Sequence, residues 1–96
     1  MRTQRRIGCR AATLEFRPHG PTGREGEVTI LTEGELEALR LVDVEGMTQE
    51  EAAAALGVSR KTVWSDIKAA RCKLVQAILS GHAIRIRPDT DPQEGE

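Results

Sequence analysis

The chain has 96 residues, of which 39% are hydrophobic and 30% are charged, and its aromatic residues are Phe16 and Trp64. This length predicts one domain with a thin aliphatic core that buries about two-thirds of the unfolded surface, so an additional interface would help stability. No apolar run approaches the roughly 18 residues of a membrane span, so no membrane partner is expected. Cys9 and Cys72 lie far apart and no apolar signal segment is present, which indicates a cytoplasmic protein with reduced thiols.

The net charge of −1 conceals an uneven distribution of charge along the chain. Residues 1–24 carry six arginines and one acidic residue, Glu15, whereas residues 33–51 carry seven acidic residues and one basic residue. Residues 57–74 are again basic, with five Lys and Arg residues against Asp66. The overall charge therefore does not argue against nucleic acid as a partner, because local basic stretches can match a phosphate backbone.

Composition divides the chain into three parts. Residues 1–27 form a basic N-terminal arm without helical periodicity, residues 28–87 form the folded domain, and residues 88–96 form an acidic tail that is expected to be disordered. The arginines of residues 2–24 allow two interpretations between which the sequence does not decide. They contact DNA, as basic arms do in the minor groove, or they pack against the acidic helix that follows.

Three helices are predicted, at residues 33–45, 49–56 and 60–80, because each has a start signal and a stop signal. Thr32 and Thr48 each precede a glutamate at the third helical position, which predicts two capping boxes. A serine precedes the third helix, and a glycine follows each of the three. The agreement among these signals predicts a mainly α fold.

The segments on either side of the helices predict a small sheet of two strands. Residues 28–31 and Ala83–Arg87 are rich in β-branched residues and are expected to pair. The apolar face of the first helix is expected to consist of Leu36, Leu39 and Val42. The charged residues expected to point away from that face are Glu33, Glu37 and Arg40.

The third helix has two distinct faces along most of its length. At about 100° per residue its core stripe is about 80° wide and contains Val63, Ile67, Ala70, Leu74 and Ala77. A second stripe, about 100° wide, is termed the basic stripe and consists of Arg60, Lys61, Trp64, Lys68 and Arg71. An ordinary solvated face usually mixes charges of both signs and rarely carries a tryptophan, so the basic stripe is interpreted as a binding face.

The capped helix pair and the basic stripe predict a three-helix helix-turn-helix domain, similar to a winged helix, which places the third helix in the major groove of DNA. The side chains expected to contact DNA are Ser59, Arg60, Lys61, Thr62, Trp64, Ser65, Lys68 and Arg71. Those in the first turns are placed for base edges, whereas Lys68 and Arg71 are placed for phosphates. Trp64 either packs on a sugar or a thymine methyl group, or is partly buried against the first helix or the arm.

The last two turns of the third helix are apolar on a second side. Cys72, Val75 and Leu79 form a line opposite the core stripe, and a helix that is apolar on two faces is covered on both. The arm, the small sheet or a second subunit could cover this line, and a homodimer is slightly favoured because such regulators usually bind two half-sites. Cys72 is interpreted as a buried apolar residue, and His82 is expected to interact with the C-terminus of the helix.

The residues of the predicted turn also resemble known families. The segment LGVSRKTV at residues 56–63, followed by Ala70-Arg71 and Lys73-Leu74, resembles the helix-turn-helix of sigma-factor region four. More narrowly, residues 31–74 are similar to a small family of uncharacterised bacterial and archaeal proteins that are regarded as DNA-binding. The similarity extends over about residues 5–87 and implies a DNA-binding fold with a regulatory role, but no particular target.

Several relatives in that family carry more cysteines in the N-terminal segment, which suggests a metal site in those proteins. In this chain Cys9 and His19 are two candidate ligands, fewer than the four of a structural zinc site, so neither a metal nor another cofactor is expected. No nucleophile–base pair, phosphate loop or carboxylate cluster is present, so the chain is not expected to be an enzyme. Two hypotheses follow, which are a DNA-binding transcription regulator and a protein-interaction module that binds a transcription component such as RNA polymerase.

Overall fold

The computed structural model describes residues 14–19 and 27–88, so most of the predicted arm and residues 89–96 of the predicted tail lie outside it. In chain order its elements are β1 (Glu15–Phe16), β2 (Val28–Thr32), α1 (Glu33–Leu39), a π-helical segment (Arg40–Val44), α2 (Gln49–Leu56), α3 (Arg60–Ser80) and β3 (Ala83–Arg87). The mainly helical fold class is confirmed, and so are the predicted bounds of the second and third helices.

Both predicted capping boxes are present. At the start of α1, the Thr32 hydroxyl accepts a hydrogen bond from the Glu35 N–H at 3.1 Å, and Glu35 Oε1 accepts one from the Thr32 N–H at 3.0 Å. Thr48 and Glu51 repeat this arrangement at the start of α2, at 3.1 and 2.9 Å. These bonds give partners to amides that the helices themselves leave unpaired, which is why both helices begin where the sequence predicts.

The first helix departs from the prediction in its second half, where the α-helix ends at Leu39 and the π-helical segment follows. The Glu45 N–H donates to the Arg40 carbonyl oxygen at 3.0 Å, a bond that spans five residues instead of four. The turn therefore contains one additional residue, and the side chains after it point in directions that an α-helix would not give them. Leu41 is buried and Val42 packs against the same core.

The expectation that Glu33, Glu37 and Arg40 point away from the core is wrong for the two glutamates, which are both buried. α1 packs against both α3 and β2, so more than one of its faces is covered. The Glu37 carboxylate is compensated by Arg40, whose guanidinium donates two hydrogen bonds of 2.8 Å to it. A carboxylate paired in this way can be buried at much lower cost than an isolated one.

α2 and α3 are joined by three residues, 57–59. Gly57 ends α2 with a φ of 76°, in the left-handed region that glycine adopts without steric cost. Ser59 then caps α3, because its hydroxyl oxygen accepts a hydrogen bond from the Thr62 N–H at 3.0 Å. This short connection fixes the N-terminus of α3 next to the end of α2.

Within residues 14–19 and 27–88 the sheet has three strands in the order β1-β3-β2, one more than the two that the sequence predicts. The expected pair forms and is parallel, with Val28 opposite Ala83, and the additional strand β1 runs antiparallel to β3 on its other side. The Arg85 guanidinium donates a hydrogen bond of 2.9 Å to Glu15, which holds the pKa of that carboxyl below its usual range. A two-residue strand is too short to show a periodic pattern, which explains why the sequence does not predict it.

The core consists of two clusters that α3 connects. The helical cluster contains Ala38, Leu41, Ala52, Ala53, Leu56, Val63 and Ile67. The sheet cluster contains Leu31, Ala70 and Ile86. The core stripe predicted for α3 is confirmed, with four of its residues buried and Leu74 half-buried against the sheet cluster. Because this stripe is covered along its length, the opposite side of α3 faces outward.

Candidate nucleic-acid interface

The first turn of α3 is held by two hydroxyl groups of the predicted site. The Ser59 hydroxyl donates a hydrogen bond to Thr62 Oγ1 at 3.0 Å while its oxygen accepts one from the Thr62 N–H at the same distance. These bonds keep both side chains at the helix end. Ser59 and Thr62 therefore contribute mainly to the position of the helix, and the Thr62 N–H is already engaged by the cap.

Four other predicted site residues lie exposed on the N-terminal half of α3, which are Arg60, Lys61, Ser65 and Lys68. Among residues 14–19 and 27–88, no carboxylate forms an ion pair with the three cations. Arg60 and Lys68 are eight residues apart, which corresponds to about 12 Å along the helix axis. Three cationic groups are thus displayed over a length similar to the roughly 12 Å width of the DNA major groove.

Trp64 is 48% exposed and lies in the middle of the basic stripe, between Arg60 and Lys68 at helical spacings of four residues. About half of its surface is covered and half is accessible, so its exposure is compatible with either of the two interpretations of this side chain. A large flat apolar surface between two cations suits a partner that is anionic at its edges and apolar between them, as a nucleic-acid backbone with its sugars is.

Arg71 differs from the other cations of the basic stripe because it has a partner. Its Nη2 lies 2.8 Å from Asp43 Oδ1 and its Nε lies 3.4 Å from Asp43 Oδ2, so the two donors on one edge of the guanidinium meet the two carboxylate oxygens. Asp43 belongs to the π-helical segment, which the sequence does not indicate. The pair is therefore the feature of this surface that sequence reasoning misses, since no spacing in the sequence relates residues 43 and 71.

The other flank of α3 carries a second link to α1. Lys73 Nζ lies 2.8 Å from Glu35 Oε1 and 3.0 Å from Glu35 Oε2, and Glu35 is also the acidic member of the first capping box. This lysine is only about one-third exposed and its charge is matched. Lys73 therefore stabilises the packing of α3 on α1 and is not part of the basic stripe.

The last turns of α3 expose large apolar side chains, with Val75 55%, Ile78 74% and Leu79 80% exposed. Cys72 is exposed as well, so the interpretation of this cysteine as a buried residue is wrong. A groove of about 270 Å³ runs between the end of α3 and β1, and Phe16 and Ile78 line it together. The predicted apolar line is thus open to solvent among the residues that the structure describes.

His82 interacts with the C-terminus of α3, as expected, through its main chain and not through its ring. Only its main-chain N–H bonds to the end of α3, at the Ala77 carbonyl oxygen. Its ring instead lies next to β2, with Nδ1 3.2 Å from the Thr29 hydroxyl and Nε2 2.8 Å from a carboxylate oxygen of Glu27. His82 therefore connects the two parallel strands at the edge where they begin.

Several predictions concern groups that the structure describes only in part. Of the arginines in residues 2–24, only Arg17 is described, and it pairs with Glu15 at 2.7 Å; the choice between DNA and α1 as the partner of the others stays open. Cys9 lies outside the described residues, and His19 is exposed. Within the described ranges, no three His, Cys, Asp or Glu side chains are grouped as metal ligands, and no helix has the length and hydropathy to cross a bilayer.

Comparison with known proteins identifies the family. A UPF0251 protein of Methanosarcina acetivorans is 50% identical over 72 residues, which are 75% of this chain and 64% of that protein. UPF0251 proteins of Vibrio parahaemolyticus and Aeromonas salmonicida are 46% and 44% identical, over 84% and 90% of this chain and 84% and 87% of their own lengths. This chain thus spans just under two-thirds of the archaeal relative. No solved structure gives a significant match.

A family model described as "Protein of unknown function DUF134" matches residues 1–90, and the chain belongs to this family. The predicted similarity to an uncharacterised family with bacterial and archaeal members is therefore confirmed. The names of the relatives give no activity, so the function must be argued from the surface of α3.

Proposed function

We propose that this chain is a DNA-binding transcription regulator in which α2 and α3 form a helix-turn-helix similar to that of sigma-factor region four. The support is the local geometry, in which two capped helices are joined by three residues, with a left-handed glycine at the end of the first. In such a motif the second helix enters the major groove with its N-terminal residues at the base edges. The core stripe of α3 faces inward, so its basic stripe remains available to the groove.

The observation that carries the proposal is the set of three exposed cations without a carboxylate partner in the described part of the chain, Arg60, Lys61 and Lys68. Elsewhere on the described surface Arg40 and Arg85 are paired with acids, whereas Arg87 on β3 is exposed and has no ion pair with a described carboxylate. What distinguishes the three cations is that they lie together on one face of α3. Because these three cations surround an exposed tryptophan and form no ion pair within the described chain, they are available to bind an external anion. Their spacing over about 12 Å of helix matches one groove of a DNA duplex.

Each side chain has a distinct proposed role. Arg60, Lys61 and Ser65 contact base edges, where an arginine or lysine can recognise guanine. Lys68 contacts a phosphate, which adds affinity that depends on salt but not on base sequence. Thr62 and the capped first turn at Ser59 place a helix N-terminus against a second phosphate, and Trp64 packs on a sugar or a thymine methyl group.

The direct test measures binding of fluorescent duplexes by anisotropy, first with genomic fragments and then with fragments selected from a random DNA pool. Arg60→Ala and Lys61→Ala are each expected to lower the affinity for the best fragment by about tenfold, because each removes a contact to a base. Lys68→Ala is expected to weaken all duplexes by a similar factor and to reduce the salt dependence by about one counterion.

Arg87→Ala is the matched control, because it removes the same charge from an exposed position on β3 instead of α3. It should change the affinity by less than about twofold. Micromolar, non-specific affinity for every fragment would overturn the proposal, and so would equal effects of the α3 variants and the control.

The second candidate function is a protein-interaction module that binds a transcription component such as RNA polymerase. The exposed side chains of Val75, Ile78 and Leu79 favour it, because apolar patches of this kind often mark protein interfaces. Salt dependence separates the two functions, since DNA binding weakens by orders of magnitude between low and moderate salt. Recovery of polymerase in a pull-down after nuclease treatment, with no salt-dependent DNA binding, would favour the second function.

A homodimer through the apolar line of Cys72, Val75 and Leu79 is part of the first proposal. The line is exposed and consists of Cys72, Val75 and Leu79 side chains without charge, so two copies could bury it across a two-fold axis. It begins, at Cys72, about 16 Å along α3 from Lys61, which leaves the first turns of the helix uncovered in such a dimer.

A further inference from the structure

The ion pair between Arg71 and Asp43 stands out because it joins the basic stripe to a segment of a different helix. Arg71 lies within about 20° of both Arg60 and Trp64 around the axis of α3, so its side chain belongs to the same outward surface. Yet it is the one cation of the basic stripe whose charge a described carboxylate neutralises. One cation of the surface that is proposed to contact DNA is therefore already paired with an anionic side chain.

Arg71 binds the Asp43 carboxylate with the same geometry that arginine uses to bind a phosphate. Asp43 presents one oxygen to Nη2 at 2.8 Å and the other to Nε at 3.4 Å, so the two groups meet edge to edge. Carboxylates and phosphates are both recognised by this fork, and a phosphate offers the same pair of oxygens. Asp43 thus occupies the position that a DNA phosphate would take on Arg71.

The pair is accessible enough to be exchanged. The Arg71 side chain is 52% exposed and that of Asp43 is 41% exposed, and ion pairs in such surroundings are held weakly. A duplex that binds along the basic stripe contacts Arg60, Lys61 and Lys68 as well, so its total gain is larger than that of the Asp43 carboxylate alone. Water and salt can reach both partners while this exchange takes place.

The π-helical segment is what brings Asp43 to this position. The additional residue between Arg40 and Glu45 changes the direction of Asp43 while Leu41 and Val42 remain packed in the core. The backbone of the π-helical segment therefore places Asp43 next to the basic stripe. The contact is set by the fold and does not depend only on two flexible side chains. π-Helical turns inside longer helices occur frequently at functional sites.

We propose that Asp43 is an internal competitor for the DNA phosphate at Arg71, so that it lowers the affinity of the chain for DNA and releases Arg71 when a duplex binds. This inference rests on the proposed DNA-binding function. It means that Asp43 influences the affinity for DNA although it lies outside α2 and α3. It also explains why Arg71, unlike the other cations of the basic stripe, is paired.

The test compares five forms of the full chain in anisotropy titrations with one 20-base-pair duplex at 50 and 200 mM KCl. They are the wild type, Asp43→Asn, Arg71→Gln, the double variant and Glu45→Gln. Asp43→Asn is expected to raise the affinity about fivefold at the lower salt concentration, and to steepen the salt dependence by about one counterion because Arg71 then neutralises a phosphate at no cost. In the Arg71→Gln background the same substitution should change the affinity by less than about twofold.

Glu45→Gln is the matched control, because it removes an equally exposed negative charge two residues away whose partner is Arg40 instead of Arg71. A similar gain from this control would mean that Asp43 acts only through general repulsion of DNA, and would overturn the inference. If Asp43→Asn bound DNA more weakly than the wild type, the inference would also be wrong, because Asp43 would then help DNA binding by orienting Arg71.

The two proposals fail in different ways in this experiment. If the wild type shows no salt-dependent binding of DNA and Asp43→Asn shows none either, both the proposed function and the inference are wrong. If the wild type binds and Asp43→Asn has the same affinity and salt dependence, only the inference is wrong. Circular dichroism of each variant shows whether the fold is retained, which is expected because both side chains of the pair are at the surface.

Discussion

At the scale of single residues, small polar side chains determine where the helices of the candidate interface begin. Thr48 illustrates this dependence, because its hydroxyl accepts the Glu51 N–H at 3.1 Å while Glu51 returns a bond of 2.9 Å to the Thr48 N–H. α2 has only eight residues, too few for a stable isolated helix, so its first turn depends on these bonds and on packing. Loss of one cap is therefore expected to affect the whole helix pair.

Thr48→Ala is expected to lower the free energy of unfolding by about 1 kcal/mol, because the Glu51 N–H loses the Thr48 hydroxyl oxygen as its acceptor. Urea unfolding followed by circular dichroism measures the change. Thr48→Ser keeps the hydroxyl and should retain most of the stability. If serine were as destabilising as alanine, the methyl group and not the hydrogen bond would be the important part of Thr48.

At the scale of elements, the helices could be predicted from the sequence because their signals are local. Caps, glycines and apolar spacing at residues 48–81 lie within a few positions of one another, and the bounds of α2 and α3 agree with them. The π-helical segment has no such signal, since it depends on how Leu41 and Val42 pack. The burial of Glu33 and Glu37 likewise follows from tertiary contacts of α1, and so does the pairing of Arg71 with Asp43.

Local and tertiary signals also differ within α3. The core stripe follows from the periodicity of the sequence, whereas the side-chain size that fits at each position depends on the element packed against it. Ala70 is fully buried in the sheet cluster, with Leu31 and Ile86, and it lies where α3 meets β2 and β3. A small side chain at this position lets the helix and the sheet approach each other closely. A larger one would have to push them apart.

Ala70→Leu is therefore expected to destabilise the fold by about 1–3 kcal/mol, because the added methylene groups have no space. Ala54→Leu is the control, since Ala54 is exposed on α2 and the same change there should cost less than about 0.5 kcal/mol. Urea titrations of both variants make the comparison. Equal stability of the two variants would show that the sheet cluster is loosely packed.

At the scale of the whole molecule, α3 combines two surfaces that no other element connects. Its N-terminal half carries the basic stripe and its last turns carry the exposed apolar line, so one helix about 31 Å long serves both proposed contacts. Charge and hydropathy along this helix could be predicted from the sequence, because both follow from spacing alone. Which molecule covers the apolar line could not, because an exposed apolar surface does not specify its partner.

The homodimer proposed for this line predicts a mass that rises with protein concentration in light scattering. Leu79→Glu should keep the chain monomeric over the same range, because it places a charge in an apolar contact that occurs twice in a symmetric dimer. Ala54→Glu adds the same charge on α2 and should leave the association unchanged. A wild type that remains monomeric at the highest concentration would rule the homodimer out.

The central position of β3 has a consequence for the way the chain acquires its fold. β1 and β2 both pair with β3 and not with each other, although β3 is the last of the three strands to be synthesised. Helices can form as soon as their residues leave the ribosome, but neither early strand has a partner in the sheet until residues 83–87 emerge. A chain that ends before residue 83 should therefore leave both β1 and β2 without the strand with which they pair. The C-terminal strand is what closes the structure.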